Sequence, residues 1–458
     1  MARALRALAR DRNYVSLWVG QFISIFGDRF TYLALLAVVV ARARVPGNPA
    51  PELALLPLFS FLPTILFGPW IGAVVDRSDT RRVLIGSDAA RGVAVLAMIP
   101  ATLIGGLPAL FALVVALYLA NTFFLPARSA IMPRLVAPAH LTEANSLATF
   151  AGVAATIAGS LAAGYLIDRY GWQWGFVLDA ITYFVSVFFL WRIRIGLGAF
   201  AGAESEGEKS EGASAAGEAG EDQRPETSSP SLSAAHQRAG NISQRYTKLA
   251  NEIREGFHIL ARTPQAWWVI VSVMLLWMAG GVLHVTVPII VGGRVASGVG
   301  NLLAAAASGM VVGTLALALR GRGGSPLRRL AIGLLGTGAA LAVFSSVPHG
   351  VATLGAAFTA GFFVAVLLVT TETALQEAIA SEARGRVFAL RDMAARVAVL
   401  ATAGIAGWVV ARGLPPRTAV LAAGSVLGVM GLAGFLARGW RSTGPGAVRA
   451  DGGDCPTR

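Results

Sequence analysis

Residues 68–82 read Gly68-Pro-Trp-Ile-Gly72-Ala-Val-Val-Asp76-Arg77-Ser-Asp-Thr-Arg81-Arg82. An apolar stretch runs into a single acid, and a compact turn carrying Arg77, Arg81 and Arg82 follows. Apolar runs flank it on both sides, 52–75 before and 83–104 after. Each has the ~20 apolar residues a helix needs to cross the hydrocarbon core of a bilayer. The stretch therefore reads as a short polar hairpin between two membrane-spanning helices, and the rest of the chain is read from there.

Working outward gives twelve such runs, roughly 14–41, 52–75, 83–104, 108–130, 143–167 and 174–194, then 265–290, 300–319, 328–347, 350–376, 388–411 and 417–437. Connections such as Gly105–Leu107 and Pro348–His349 are so short that the helices they join must run antiparallel. Composition agrees. Hydrophobic residues make up 55% of the 458, and 14% are charged, against about 25% charged in soluble domains. That excludes a soluble globule, a disordered chain and a fibre, and leaves an all-α membrane protein. The 53 glycines suit helices that pack backbone to backbone in lipid.

Between the sixth and seventh runs the character changes. Residues 196–240 hold Gly, Ala, Ser and Glu with almost no aliphatics, too little apolar area to offset the entropy of ordering. In 241–263, Ile242, Leu249, Ile253, Phe257 and Leu260 recur at helical spacing opposite charged residues, the pattern of a helix lying on a membrane surface. The expected organisation is a six-helix bundle over 1–195, a disordered cytoplasmic linker over 196–240, a surface helix over 241–263, a second six-helix bundle over 264–440 and a cytoplasmic tail over 441–458.

The net charge is +13, and of 38 basic residues only Lys209 and Lys248 are lysines. Placing both termini inside leaves 29 basic residues on that side against six in the opposite loops, or 20 against six without the central segment. This orients a multi-pass protein of the cytoplasmic membrane. The arginines sit between apolar runs rather than along a soluble face, so no nucleic-acid partner is expected. An ARA tripeptide after the first run mimics a signal-peptide cleavage site, but Gln21, Asp28 and Arg29 interrupt that run and argue for its retention. Trp18, Trp172, Trp174, Trp191, Trp267, Trp268 and Trp440 fall near expected interfaces. One cysteine, Cys455, leaves no internal disulfide or multi-Cys metal cluster. Neither lysine follows a glycine, so a P-loop is missing; HExxH and G-x-S-x-G are missing too. Neither cofactor nor metal nor enzyme chemistry is expected.

The 68–82 stretch resembles the G-x-x-x-D-R-x-x-R-R signature of the major facilitator superfamily, placed as there after the second span. Further stretches are similar to the bacterial branch that includes siderophore and macrolide efflux proteins: Ser24-Ile-Phe-Gly27-Asp28, Ser87-Asp88-Ala-Ala-Arg91, Pro126-Ala-Arg128-Ser-Ala-Ile-Met-Pro133, Leu141-Thr-Glu143-Ala-Asn145-Ser146-Leu147 and, in the second half, Gln376 with Arg384-Gly385-Arg386-Val387-Phe388. The resemblance implies a secondary transporter with a central cavity. Gly68, Gly72, Asp76, Arg77, Arg81 and Arg82 would then form the cytoplasmic gate motif, its glycines letting two helices approach, with Arg384, Gly385 and Arg386 as second-half gate candidates. The second-half loop, Arg320-Gly-Arg322…Arg328-Arg329, has no acid in the Asp76 role. The fifth span carries Gly152…Gly159-Ser160…Gly164 where antiporters often have Gly-Pro, which removes one support for antiport; a packing seam is the alternative.

Charges inside spans are the remaining signal, since each costs ~2.5–3.5 kcal/mol at mid-depth. Asp88 and Arg91 stand i,i+3, and Asp392 and Arg396 i,i+4, so each pair shares a helix face. Asp28 and Arg29 project ~100° apart and cannot satisfy each other. Glu372 and Asp179 have no opposite charge three or four residues away; Asp179 reads as shallower and structural. Asp28, Arg29, Arg91 and Glu372 are the candidates for transport and proton coupling. His284 lies inside a span, as a packing residue or a proton relay. The expected partners are the bilayer, protons and a small amphipathic substrate, for a monomeric, proton-coupled exporter. Uptake or lysolipid flipping on the same scaffold, and a sensor or scaffold without flux, are the alternatives.

Overall fold

The structure, a computed structural model, describes residues 11–136, 140–193, 264–320, 325–348, 350–379 and 381–436. The expected linker, surface helix and tail lie outside the described residues. Those described form an all-helical fold: α1 (Arg12–Ala41), α2 (Ala50–Asp76), α3 (Thr80–Leu135), α4 (Leu141–Tyr170), α5 (Trp172–Arg192), α6 (Pro264–Val291), α7 (Val295–Arg320), α8 (Pro326–Ser346), α9 (Val351–Ala378), α10 (Ser381–Ala411) and α11 (Pro416–Leu436). All eleven contain a stretch long and apolar enough to cross a membrane.

At 56 residues, α3 would be ~84 Å long if straight, against a hydrocarbon core of ~30 Å. It breaks at Gly106, whose φ of 64° and ψ of −155° lie where a side chain is strained and glycine is not. The two arms, 80–105 and 107–135, account for the third and fourth spans, so the twelve runs read from sequence all appear as helix.

Helices α1, α4 and α5 pack together and α2 and α5 pack on α3, while α6 packs on α10 and α11, and α9 on α7 and α8. The contacts α4–α7 and α2–α10 join early helices to late ones. One buried cluster, around Tyr14, Ile71, Leu84, Ile131 and Leu190, draws only on α1–α5 and the residues that flank them. A second, around Ile270, Leu334, Leu367 and Val420, draws only on later helices. The third mixes Val38, Val39 and Leu53 with Val295, Val299 and Val410, near the loops 42–49, 292–294 and 412–415. We call this the far end, and the end bearing 77–79 the motif end.

The described links between early and late helices cluster toward the far end. Asn48 Nδ2 donates to the Ala411 carbonyl at 3.1 Å, and Ser297 N donates to Asp168 Oδ2 at 3.0 Å. Small residues make the approach possible: a methyl on Gly164 would stand 2.8 Å from Ser297 Cα, and one on Gly407 would stand 2.6 Å from Ala54 Cβ. Gly300 sits directly on the Ser160 carbonyl, and Gly159 on that of Phe26. The Gly152–Gly164 run of α4 is thus a packing seam. At the motif end Gly68 and Gly72 lie in open surroundings. A Cβ on Gly72 would meet nothing within 4 Å, and one on Gly68 only Thr64 of its own helix, at 3.8 Å. Among the described residues no second helix packs on these glycines, and most of the joining contacts lie at the other end.

Candidate functional site

One face of α5 carries Asp179, Thr182, Tyr183 and Ser186, spaced i, i+3, i+4 and i+7 and therefore aligned along the helix. Glycines on the facing helices admit this polar stripe. A Cβ on Gly27 of α1 would overlap the Thr182 side chain and lie 2.5 Å from Asp179 Oδ1. Gly92 of α3 meets Tyr183 Cβ and the Phe184 ring in the same way.

The stripe gathers the first-half acids. Tyr183 Oη donates to Asp28 Oδ1 at 2.6 Å, and Ser186 Oγ donates to Asp88 Oδ2 at 2.6 Å. Asp88 forms an ion pair with Arg91, and both are buried, 0% and 3% exposed. The local i,i+3 pairing expected from sequence is therefore present. Arg91 also donates to Asn121 Oδ1 at 3.4 Å, and its guanidinium lies 4.1 Å from the Phe124 ring and 4.7 Å from the Tyr183 ring. Arg91 thus contacts Asp88, Asn121 and two aromatic rings at once. A buried pair broken on one side costs ~3–5 kcal/mol.

Asp179 differs from its sequence reading. It is fully buried, beside Gly27 and so next to Asp28, because α1 and α5 meet at that glycine. Its Oδ1 accepts from Thr182 Oγ1 at 3.1 Å, while Oδ2 has no hydrogen-bond partner among the described residues. Asp28 and Asp179 thus form a carboxylate patch whose hydrogen bonds come from hydroxyls, next to a cation already paired with Asp88. Arg29 points elsewhere, as adjacent helical residues must. It packs on α4, its Cγ 3.0 Å from the Cβ position of Gly159, and its Nε has no partner among the described residues.

In the later helices Glu372 meets Arg391, which also bonds Asp392 at 2.9 Å. The expected Asp392–Arg396 pairing gives way to this fork. The Arg396 guanidinium instead lies 5.3 Å from the Phe61 ring on α2, a cation–π contact between early and late helices. Glu372 has a half-exposed side chain, so its pairing is surface-like and weak. Arg384, Gly385 and Arg386 fall in the first two turns of α10. The Tyr32 hydroxyl and His284 Nδ1, 3.3 Å apart, make one more link between α1 and α6.

At the motif, α2 ends at Asp76. Asp79 caps α3, accepting from Arg81 N at 2.9 Å and Arg82 N at 3.2 Å. Arg81 reaches the Leu190 carbonyl at 3.3 Å and that of Trp191, capping the C-terminus of α5 where a cation is favoured. Arg82 makes an exposed pair with Asp79 at 3.5 Å, and Arg77 is exposed. Among the described residues no cluster of His, Cys, Asp or Glu is arranged to hold a metal ion.

Tyr183, Ser186, Asn121 and Arg391 were not singled out from sequence. The polar stripe on α5, visible as four polar residues at helical spacing in an apolar run, is the signal that reveals the first two. Asn121 and Arg391 join through contacts 30 and 19 residues apart, with no local sign.

A many-helix membrane bundle with a compact Asp–Arg hairpin after its second helix and carboxylates buried between α1, α3 and α5 defines a transporter rather than an enzyme. The chain belongs to the Major Facilitator Superfamily, whose family model matches residues 17–330. It is similar to BacE of Bacillus amyloliquefaciens, named for bacilysin export, at 33% identity over 134 residues, 29% of this chain and 33% of that one. Macrolide efflux protein A of Streptococcus pyogenes is 27% identical over 133 residues, 29% of this chain and 32% of that one. The similarity thus spans about a third of the length of these relatives. Among solved structures, a bacterial homologue of the iron transporter ferroportin in an inward-facing state superposes with a TM-score of 0.64 at 15% identity, covering 93% of this chain and 99% of that one; this likeness concerns the fold.

Proposed function

We propose that the protein is a proton-coupled exporter of small amphipathic molecules of the drug, macrolide or siderophore class, acting in the cytoplasmic membrane with both termini inside. Two six-helix bundles, 1–195 and 264–440, rock about a central cavity as a monomer, and the segment between them tethers the bundles. The observation that carries the reading is the pair Asp28–Asp179, two carboxylates in the membrane interior served by Tyr183 and Thr182 hydroxyls and, among the described residues, without an ion pair of their own. A carboxylate in such a place changes its proton affinity when its surroundings alternate between dry and hydrated, which is what coupling requires. Export is supported by the similarity to the bacilysin and macrolide proteins.

The arginine asymmetry puts the motif end at the cytoplasm, so the links at the far end correspond to a state closed to the outside. Exposed Arg77, and Arg82 on leaving its exposed pair with Asp79, would engage partners of the second bundle when the cytoplasmic end closes, and Arg384 and Arg386 lie on the helix that would meet them. The test uses proteoliposomes holding a pH-sensitive dye. Adding a macrolide or a cationic dye to one side should dissipate an imposed pH gradient faster than in liposomes without protein. Equal rates for a panel of macrolides, dyes and siderophores would reject proton-coupled export of this class.

A further inference from the structure

A cavity of 260 Å³ lies among the later helices α6, α7, α8 and α9, closed on one side by Tyr32 of α1. Its wall is almost wholly aliphatic: Leu283, Val299 and Leu341 are examples, and Ala356 and Ala360 leave the space. Its polar side chains are His284 and Tyr32. His284 Nδ1 shares a hydrogen bond with the Tyr32 hydroxyl, whereas His284 Nε2 is buried with no partner among the described residues. A buried polar atom without a hydrogen bond carries an unrelieved desolvation cost, and an apolar cavity with few convergent polar groups is the ordinary form of a small-molecule site.

We propose that this cavity is a ligand subsite, distinct from the Asp28–Asp179 patch, that takes an apolar fragment bearing one hydrogen-bond acceptor, and that His284 Nε2 is its specificity-determining group. In the tautomer this role requires, the Tyr32 hydroxyl donates to Nδ1 and the ring proton sits on Nε2; the matching ligand group is then a ketone, ester or lactone carbonyl. The volume suits a ring or short chain of a larger amphipathic molecule rather than the whole of it. The inference deepens the export reading by naming what the second bundle recognises, and it rests on that reading only for its physiological meaning.

The test is equilibrium binding to the purified full chain in nanodiscs. The probes are benzophenone, which also photolabels its site, and diphenylmethane, the same shape without the carbonyl. Benzophenone should bind about tenfold more tightly than diphenylmethane, the worth of one hydrogen bond, and its adducts should map to Leu283–Val287 and Ala356–Ala360. His284→Phe should erase that preference while leaving diphenylmethane bound. Ala360→Phe, which fills the cavity from α9 and leaves the histidine in the sequence, should abolish saturable binding of both. Equal affinities in the wild type, adducts elsewhere, or a preference that survives His284→Phe would overturn the proposal. Because binding needs neither flux nor protons, failure of export with selective binding intact would refute the transport reading and leave this subsite standing.

Discussion

Gly407→Val perturbs the closed far end at one of its close helix contacts. A Cβ at that position would stand 2.6 Å from Ala54 Cβ and 3.0 Å from the Ala50 carbonyl, both on α2, so α10 and α2 must separate to admit it. Overpacking of this kind costs about 1–3 kcal/mol. In a conformation whose far end is open the same side chain meets no α2, so the cost falls on one state alone. The ratio of far-end-open to far-end-closed molecules should therefore rise by about 5–150-fold. The assay is pulsed electron-spin distance measurement between labels on Val45 and Leu414, both exposed and on opposite sides of this contact, with Cys455→Ser as background. Gly404→Val is the control, since a Cβ there meets nothing within 4 Å. We expect a longer distance to gain population in Gly407→Val and not in Gly404→Val. An unchanged distribution in a folded Gly407→Val protein would refute the reasoning that these contacts hold the far end shut.

Two further outcomes follow from the early helices. Arg91→Met should destabilise the protein by about 3–5 kcal/mol by leaving Asp88 buried without its cation, read as a fall in melting temperature, and Asp88→Ser combined with Arg91→Met should recover much of the loss. Arg81→Ala should cost about 0.3–1 kcal/mol through the lost cap on α5, whereas Arg77→Ala should leave the melting temperature unchanged and slow transport.

Much of this was legible because helices in lipid are specified by local composition. The break at Gly106 shows as Gly105-Gly106-Leu107-Pro108, and the Asp88–Arg91 pair follows from helical spacing alone. What was not legible depends on which helices meet. Tyr183 reaches Asp28 across 155 residues and Ser186 reaches Asp88 across 98. The depth of Asp179 follows from the α1–α5 crossing at Gly27, not from its place along α5. Asp392 chose Arg391 over Arg396 because Arg391 is also drawn to Glu372, and Arg396 turned to Phe61. The glycines of 68–82 resembled a close-packed gate, but a gate closes in one state and opens in the other, and sequence does not select between them.

The central claim is that Asp28, held by Tyr183 and beside Asp179, couples protons to export. The direct measurement is efflux of a macrolide and a cationic dye from cells expressing the wild type or Asp28→Asn at matched levels, with and without an uncoupler. The account predicts uncoupler-sensitive efflux in the wild type and none in Asp28→Asn, which should nevertheless fold and reach the membrane. Efflux by Asp28→Asn that equals the wild type and stays uncoupler-sensitive would contradict it.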